Sequence, residues 1–267
     1  MKKPVLITID VEEFDLPQDF GQTISEKEKY EISRKGLENL LHILAQQHVS
    51  ATLFTTTQFA LKYPKLMREA AQTHEIAFHG ARHDEVYASM ASKQIFESLS
   101  SGKKKIESAT GKILKGFRSQ RLQRVPFHVL SRTGIVYDSS LHPTYIPGRY
   151  NHFFSSRHIV QHTGMLEVPL SVTPLFRLPL FWLAFRNFGM QYAQFCTHWI
   201  RASSEYVMLL FHPWEFVDLH SYSLNIPSYI KRNTGAPLAS LLSRYIQWNK
   251  RSGHQFMTVQ QFLTARK

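Results

Sequence analysis

The chain of 267 residues carries 32 Lys and Arg against 20 Asp and Glu, which gives a net charge of +12 with histidine neutral, and 43% of it is hydrophobic. This composition excludes a disordered chain, and the length allows one large α/β domain with a sizeable core. The single cysteine, Cys196, excludes an internal disulfide and any metal or redox site built on paired cysteines.

Short apolar runs alternate with longer segments of helical period along the chain. This alternation is typical of repeated βα units around a mostly parallel sheet or barrel. No break in composition and no repeat of fixed period divides the chain, so we expect a single domain over residues 1–267. Strands are predicted over 5–10, 51–55, 75–79, 116–118, 134–137, 166–169 and 206–211. Helices are predicted over 31–47, 58–73, 92–109, 126–133, 191–203 and 237–251.

The hydropathy pattern predicts no membrane-spanning segment and no signal peptide. The most apolar region, 165–188, is interrupted by Glu167, Arg177, Arg186 and three prolines, so it lacks the roughly 20 apolar residues of a spanning helix. The apolar run at 5–9 is shorter than the apolar core of a signal peptide. We therefore expect a cytoplasmic protein.

Polar residues stand at or just after the ends of five predicted strands. Parallel α/β barrels carry their active sites at the carboxyl ends of the strands, so these side chains are predicted to share one site. The five are Asp10, His79, Arg118, Asp138 and His212.

Two histidine pairs have the spacing of metal ligands. His79 ends a predicted strand, and the Gly80 that follows permits a turn that would bring His83 back to the same ion. His158 and His162 lie in a segment that reads as extended, which would separate them by roughly 13 Å, too far for one zinc ion. About one such pair is expected by chance, so ordinary surface histidines remain an alternative for His79 and His83.

The carboxylates after the first predicted strand could complete such a site. Asp10 and Glu12 point to the same side of an extended segment, so one could bind a metal ion while the other transfers a proton. Glu13 could instead solvate a loop or cap a helix.

Six short motifs follow one another in a recognisable order along the chain. They are TIDVEEF at 8–14, ATLF at 51–54, HEIAFHGARH at 74–83, GFR at 116–118, YDSS at 137–140 and FHPWE at 211–215. In these motifs the chain resembles the polysaccharide deacetylases of carbohydrate esterase family four, and most closely the branch whose first motif reads Asp-Val-Glu. The resemblance spans roughly residues 5 to 220 and implies a distorted (β/α) barrel of about seven parallel strands that hydrolyses an N-acetyl group on an amino sugar with a metal ion.

The resemblance implies a role for each matching residue. Glu12, His79 and His83 would bind one divalent ion, for which zinc is the expected species. Asp10 would be the general base and His212 the general acid, positioned by the charges of Arg118 and Asp138. Trp214 would form a wall for the acyl methyl group, with a buried core position as the alternative.

Two positions depart from the pattern of the family. The family commonly places its metal-binding aspartate directly after the base, where this chain has Val11, so the ligand moves to Glu12 or to Glu13. Gln120 stands where the third motif usually has proline, which affects one wall of the groove.

The expected substrate is an acetylated amino sugar or a glycan precursor attached to a lipid or nucleotide phosphate, because a cytoplasmic enzyme cannot reach a finished extracellular polymer. Segment 174–186 mixes Phe and Trp with arginines, so it could contact the inner membrane surface, or it could line the barrel or a dimer contact. No nucleic-acid-binding motif is present, so no nucleic acid is expected.

Two alternative functions remain open. A deformylase or amidase acting on a lipid-linked aminosugar or a cyclic ureide would use nearly the same groups. A carbohydrate-binding protein without catalytic activity would keep the barrel.

Overall fold

A computed structural model describes residues 3–162 and 164–266. Eight strands form one sheet in the order β10-β1-β2-β3-β4-β5-β9-β8, and β6 and β7 form a separate hairpin. All neighbours from β10 to β9 are parallel, and β8 pairs antiparallel with β9 at the edge. Seven parallel strands wrapped by helices confirm the predicted distorted (β/α) barrel. The strands are β1 (Val5–Val11), β2 (Thr52–Thr55), β3 (Glu75–Phe78), β4 (Gly116–Phe117), β5 (Tyr137–Asp138), β6 (Tyr145–Ile146), β7 (Tyr150–Asn151), β8 (Val160–His162), β9 (Met165–Glu167) and β10 (Val207–Phe211).

The helices follow the strands in the expected alternation. The longest, α1 and α6, pack their apolar faces against the sheet, and Leu37, Leu40 and Leu44 of the predicted stripe are fully buried in the core. The helices are α1 (Glu26–Gln46), α2 (Thr57–Lys62), α3 (Pro64–Ala70), α4 (Ser92–Thr110), α5 (Phe127–Arg132), α6 (Trp182–Ser203), α7 (Ser228–Lys231), α8 (Ala236–Arg251) and α9 (Val259–Ala265).

Two helices differ from the sequence prediction for identifiable reasons. The helix predicted over 58–73 is divided into α2 and α3, because Pro64 disfavours helical geometry at Tyr63, which has φ −127° and ψ 57°. Helix α6 begins at Trp182, well before the predicted start at 191, and contains a kink at Gly189, where φ is 75°. No helix is predicted from the sequence over 182–190.

Segment 158–162 is extended over β8, as predicted. His162 lies against Phe127, with the ring centres 3.8 Å apart, and its Nε2 is 3.4 Å from Glu167. It therefore lies in a local cluster beside β9.

Helix α1 approaches the turn after β10 very closely. A Cβ atom on Gly36 would lie 1.9 Å from the carbonyl oxygen of Pro213, which is shorter than any non-bonded contact. Only glycine allows this approach of helix and turn. Within the described residues, no helix is long and apolar enough to cross a membrane.

Candidate active site

The parallel strands bring the predicted site residues to one edge of the sheet. Asp10 and Glu12 lie at the end of β1, and His212 follows β10, the neighbouring strand. They line a cleft of about 250 Å³ together with His83 and Trp214. His79 lies beneath the cleft and is 1% exposed.

Glu12 lies between the two histidines. Its Oε2 atom is 3.1 Å from Nε2 of His79 and 3.1 Å from Nε2 of His83. Two ligand atoms on one tetrahedral zinc ion are roughly 3.3 Å apart, given metal bonds of about 2.0–2.2 Å. Both distances from Glu12 thus suit ligands of one ion. Glu13 points elsewhere and accepts a hydrogen bond from Thr56 Oγ1 at 2.7 Å.

The far nitrogen of each imidazole has its own hydrogen-bond acceptor. Nδ1 of His79 donates to the carbonyl oxygen of Arg118 at 2.8 Å, and Nδ1 of His83 donates to Asp15 Oδ1 at 2.7 Å. Such contacts leave Nε2 of both rings directed to the shared position, as in metal sites where outer carboxylates and carbonyls orient the histidines. The residues present therefore fit a zinc-like ion.

The described side chains nevertheless contain no group of three or more His, Cys, Asp or Glu in the arrangement of a ready-made metal site. The candidate ligands hydrogen-bond to one another instead. Burial alone would lower the pKa of His83, but Glu12 and Asp15 outweigh it and raise that pKa to about 9. Metal binding would have to displace this proton, because imidazole binds metals in its neutral form.

Asp10 is buried beside a fully buried cation. Arg118 donates to Asp10 Oδ1 at 2.8 Å and to Thr8 Oγ1 at 2.9 Å, and its guanidinium is 4.1 Å from the ring centre of Phe54. Burial would raise the pKa of Asp10, but the positive charges of Arg118, His79 and His212 outweigh it and hold that pKa below its ordinary value. Asp10 is therefore ionised at neutral pH and can accept a proton.

His212 stands on the other side of Glu12, with its Nε2 atom 3.9 Å from Glu12 Oε1. Its Nδ1 atom donates to Glu215 Oε1 at 3.2 Å, and Glu215 in turn accepts from the buried Arg186 at 2.6 Å. Burial would lower the pKa of His212, but Glu215, Glu12 and Asp10 outweigh it and raise that pKa. His212 is thus held in the form that can donate a proton.

Asp138 makes no hydrogen bond or ion pair with His212 among the described residues. Its Oδ1 atom accepts hydrogen bonds from the backbone and hydroxyl of Ser140, and it lines a small separate pocket with Glu167. Burial, with the nearby charge of Glu167, raises the pKa of Asp138 to about 7. The carboxylate at His212 is that of Glu215.

Aromatic rings form the wall of the cleft near His212. Trp214 is 3% exposed and stacks on the His212 ring, with centres 5.3 Å apart and planes at 19°. Trp182 meets His212 edge-on at 5.4 Å. Trp214 both lines the cleft and packs in a buried cluster, so the two sequence-based alternatives for it describe the same position.

The wall that contains Gln120 has an uncommon backbone. Arg121 and Leu122 both have φ of 54°, a left-handed conformation that non-glycine residues rarely adopt. This turn places Arg121 against Asp19 at 2.7 Å and within 3.4 Å of Asp15. The carboxylate behind His83 is therefore linked to the rim of the cleft.

The sequence analysis missed Asp15 and Glu215. Glu215 lies in a motif that was identified, three residues after His212, where one helical turn brings two side chains together. Asp15 follows the first motif directly, but its contact with His83 joins residues 68 positions apart, and no local pattern indicates it.

Comparison with known proteins finds a family model that matches the first part of the chain. The model of the polysaccharide deacetylase family matches residues 2–123. A search of curated proteins gives no significant match.

Solved structures share the fold across almost the whole chain. A protein of Mycobacterium smegmatis assigned as a polysaccharide deacetylase is 17% identical, with a TM-score of 0.67 over 98% of this chain and 90% of that one. A similarly assigned protein of Pseudomonas aeruginosa is 17% identical, with a TM-score of 0.68 over 97% and 88% of the two chains.

An allantoinase is 15% identical, with a TM-score of 0.66 over 96% of this chain and 87% of that one. A pseudoenzyme of the same esterase family from Bacillus anthracis is 12% identical, with a TM-score of 0.56 over 97% and 65%. The shared fold therefore does not by itself assign an activity.

Proposed function

Because the model of the polysaccharide deacetylase family matches residues 2–123, we propose that the chain is a metal-dependent hydrolase that removes an N-acetyl group from an amino sugar. One observation carries the proposal. Two histidines each lie 3.1 Å from one glutamate, between a buried aspartate and a histidine held by a carboxylate. A protein that only binds carbohydrate has no use for this arrangement of charged groups.

Glu12, His79 and His83 would hold the divalent ion, with zinc as the expected species because imidazole and carboxylate donors suit it. When bound, such an ion polarises a carbonyl group and lowers the pKa of water. Asp15 and the Arg118 carbonyl oxygen would keep the two rings oriented.

Asp10 is the proposed general base. Arg118 binds its Oδ1 atom, while Oδ2 faces the histidine side, 3.9 Å from Nε2 of His79. We propose that Oδ2 accepts a proton from the water molecule that attacks the amide carbonyl. The charge of Arg118 keeps Asp10 ionised before this transfer.

His212 is the proposed general acid. An amine is a poor leaving group unless its nitrogen is protonated as the carbon–nitrogen bond breaks. Nδ1 of His212 donates a hydrogen bond to Glu215, so the proton on its Nε2 is available to the leaving nitrogen. Trp214, stacked on the same ring, restricts the rotation of the imidazole.

The substrate class is proposed from the walls of the cleft. Phe181, Trp182 and Tyr150 present aromatic surface, as sugar-binding sites commonly do. Arg121 and Arg149 stand at the rim, each beside Asp19. The aromatic surface fits the face of a sugar ring. We propose a glycan precursor handled in the cytoplasm, with peripheral membrane contact considered below.

The test is acetate release by zinc-loaded protein from a panel of free, nucleotide-linked and lipid-linked N-acetyl amino sugars. Allantoin and N-formyl sugars serve as parallel substrates, because the allantoinase fold is equally similar. Acetate release that requires metal and is abolished by Asp10→Asn supports the proposal. Hydrolysis of allantoin or formyl sugars alone would assign a different amide, and binding without turnover would assign a carbohydrate-binding protein.

A further inference from the structure

The exposed aromatic residues are concentrated in one part of the chain. Outside residues 145–229, the large hydrophobic side chains described as exposed are all aliphatic. Inside that range, Phe154 is 91% exposed, and Phe176 and Phe188 are each 68% exposed. Contiguous exposed aromatic surface on a soluble protein commonly marks an interaction site.

Three aromatic side chains of this range contact one another. Trp199 meets Phe176 at 5.8 Å and Phe195 at 5.2 Å between ring centres. Leu175 is exposed next to Phe176, and Phe188 meets Tyr192 of the same helix at 5.1 Å. We call the exposed Phe and Leu side chains of this range, together with Trp199, the aromatic face. Its members are Phe154, Leu175, Phe176, Phe188, Phe195 and Trp199.

Helix α6 has apolar side chains on its outer side as well as its inner side. Its inner side buries Ala193, Cys196 and Ile200 completely. Its outer side carries Phe195, which is 52% exposed, and the half-buried Trp199, next to the exposed polar His198. The two rings give this side an apolar area that an amphipathic surface helix ordinarily lacks.

The part of the chain that carries the aromatic face is poor in acidic residues. From residue 139 to 204 the sequence contains one, Glu167, which is buried, and five arginines. Of these, Arg157 and Arg177 take part in none of the ion pairs found among the described residues. Arg201 lies elsewhere, over Trp248 and hydrogen-bonded to Asn249 of helix α8. Burial lowers the pKa of Arg177, and the nearby charge of Arg157 lowers it further.

We propose that the aromatic face docks on an anionic lipid bilayer, with aromatic rings at headgroup depth and the unpaired arginines against lipid phosphates. A second copy of the chain is the less favourable occupant, because a two-fold contact would bring these arginines together without acidic partners. This proposal does not depend on the deacetylase chemistry.

The docking surface differs from the segment expected from sequence. Within 174–186, only the turn at Leu175 and Phe176 is exposed. Phe185 and Arg186 are buried, and Phe181 and Trp182 line the cleft, so they cannot anchor the chain. Half of its members, Phe188, Phe195 and Trp199, come instead from the part of helix α6 that lies beyond the segment.

The aromatic face adjoins the mouth of the cleft. Asn187, next to Phe188, donates a hydrogen bond to the carbonyl oxygen of Tyr229, which lines the cleft. Arg177 lies 5.8 Å from the ring centre of Phe153, beside Phe154. A bilayer on the aromatic face would therefore lie at the rim of the site.

The test is flotation with vesicles of phosphatidylcholine containing 30 mol% phosphatidylglycerol, at low and at high salt. We expect the wild type to float with these vesicles. The fraction that floats with vesicles of pure phosphatidylcholine should be at least 10-fold lower. A Leu175→Asn, Phe176→Ser, Phe195→Ser variant should lose at least 10-fold of the binding. Asn is chosen at 175 because this residue has φ of 60°, which asparagine tolerates.

The matched control is Leu61→Ser, Ile113→Ser, which removes two exposed aliphatic side chains elsewhere and should float like the wild type. Melting temperatures within 2 °C of each other establish that all three proteins are folded. Equal flotation of the two variants, or no flotation of the wild type, would overturn the proposal. So would a wild-type dimer in light scattering that the aromatic-face variant dissociates.

Discussion

Glu215 Oε1 accepts hydrogen bonds from both the backbone N–H and the ring Nδ1 of His212, at 2.7 and 3.2 Å. Its other oxygen accepts from Arg186 at 2.6 Å. The buried Arg186 thereby fixes the carboxylate that orients His212. This makes Glu215 the positioning residue for the proposed general acid.

Glu215→Gln should lower the pKa of His212, because the variant removes a negative charge beside the imidazolium. A general acid must be protonated, so activity should decline at a lower pH, with the alkaline limb of kcat/KM shifted down by about one unit. The measurement is the pH–rate profile. Glu205→Gln, at an exposed ion pair, is the control and should leave the limb in place.

Loss of Glu215 leaves the Arg186 charge buried, which could cost about 3–5 kcal/mol of folding free energy. The Arg186→Met, Glu215→Gln double variant removes both charges and should fold. An unchanged alkaline limb in either folded variant would contradict the positioning role.

Asp10→Asn and His212→Ala should retain fold and metal but lose kcat by ~10² or more, because both residues are proposed to move protons. Turnover with the identified substrate and metal content by elemental analysis are measured on the same samples. Activity near the wild-type level in either variant would remove that residue from the mechanism.

Asp15→Asn should weaken metal binding by about 10- to 100-fold, the usual effect of losing a carboxylate behind a ligating histidine. The matched control is Asp19→Asn, because Asp19 also binds Arg121 but is not among the described contacts of His83. Competition with a chelator gives both affinities. His79→Ala, His83→Ala should lose the ion, and full occupancy in that variant would refute the assigned ligands.

Asp138 should make stability depend on pH. Its folded-state pKa of about 7 lies above the unfolded value near 3.9, so its contribution is fully present below pH 3.9 and is lost as pH rises through 7. Between pH 5 and pH 8, wild type should lose about 2 kcal/mol relative to Asp138→Asn. Urea unfolding at both pH values measures this, and parallel losses in the two proteins would contradict it.

The sheet could be predicted because a buried parallel strand appears in the sequence as a short apolar run. The site could be predicted because polar residues follow the ends of these runs. The order of Asp10, His79, Arg118 and His212 along the chain maps directly onto neighbouring strand ends. The pairing of Glu12 with both histidines then follows from the sheet. Their chemical roles stay predictions.

Contacts between distant loops could not be read from sequence. The family resemblance implied that Asp138 orients His212, but its carboxylate accepts hydrogen bonds from Ser140 and lines a separate pocket with Glu167. Glu215 is nearer because one turn of helix brings it back to His212. The aromatic face was missed because hydropathy does not distinguish the two sides of an apolar helix.

The contact between Gly36 and Pro213 restricts how this protein can be engineered. Replacing a helical glycine with alanine ordinarily gains about 1 kcal/mol, so position 36 would be an obvious choice for thermostabilisation. Here the added methyl group would meet the Pro213 carbonyl oxygen at 1.9 Å and push away the turn that starts beside His212. A displacement of about 1 Å in a reacting group can cost ~10² in rate. A substitution chosen to raise stability at a position outside the cleft can therefore lower the activity.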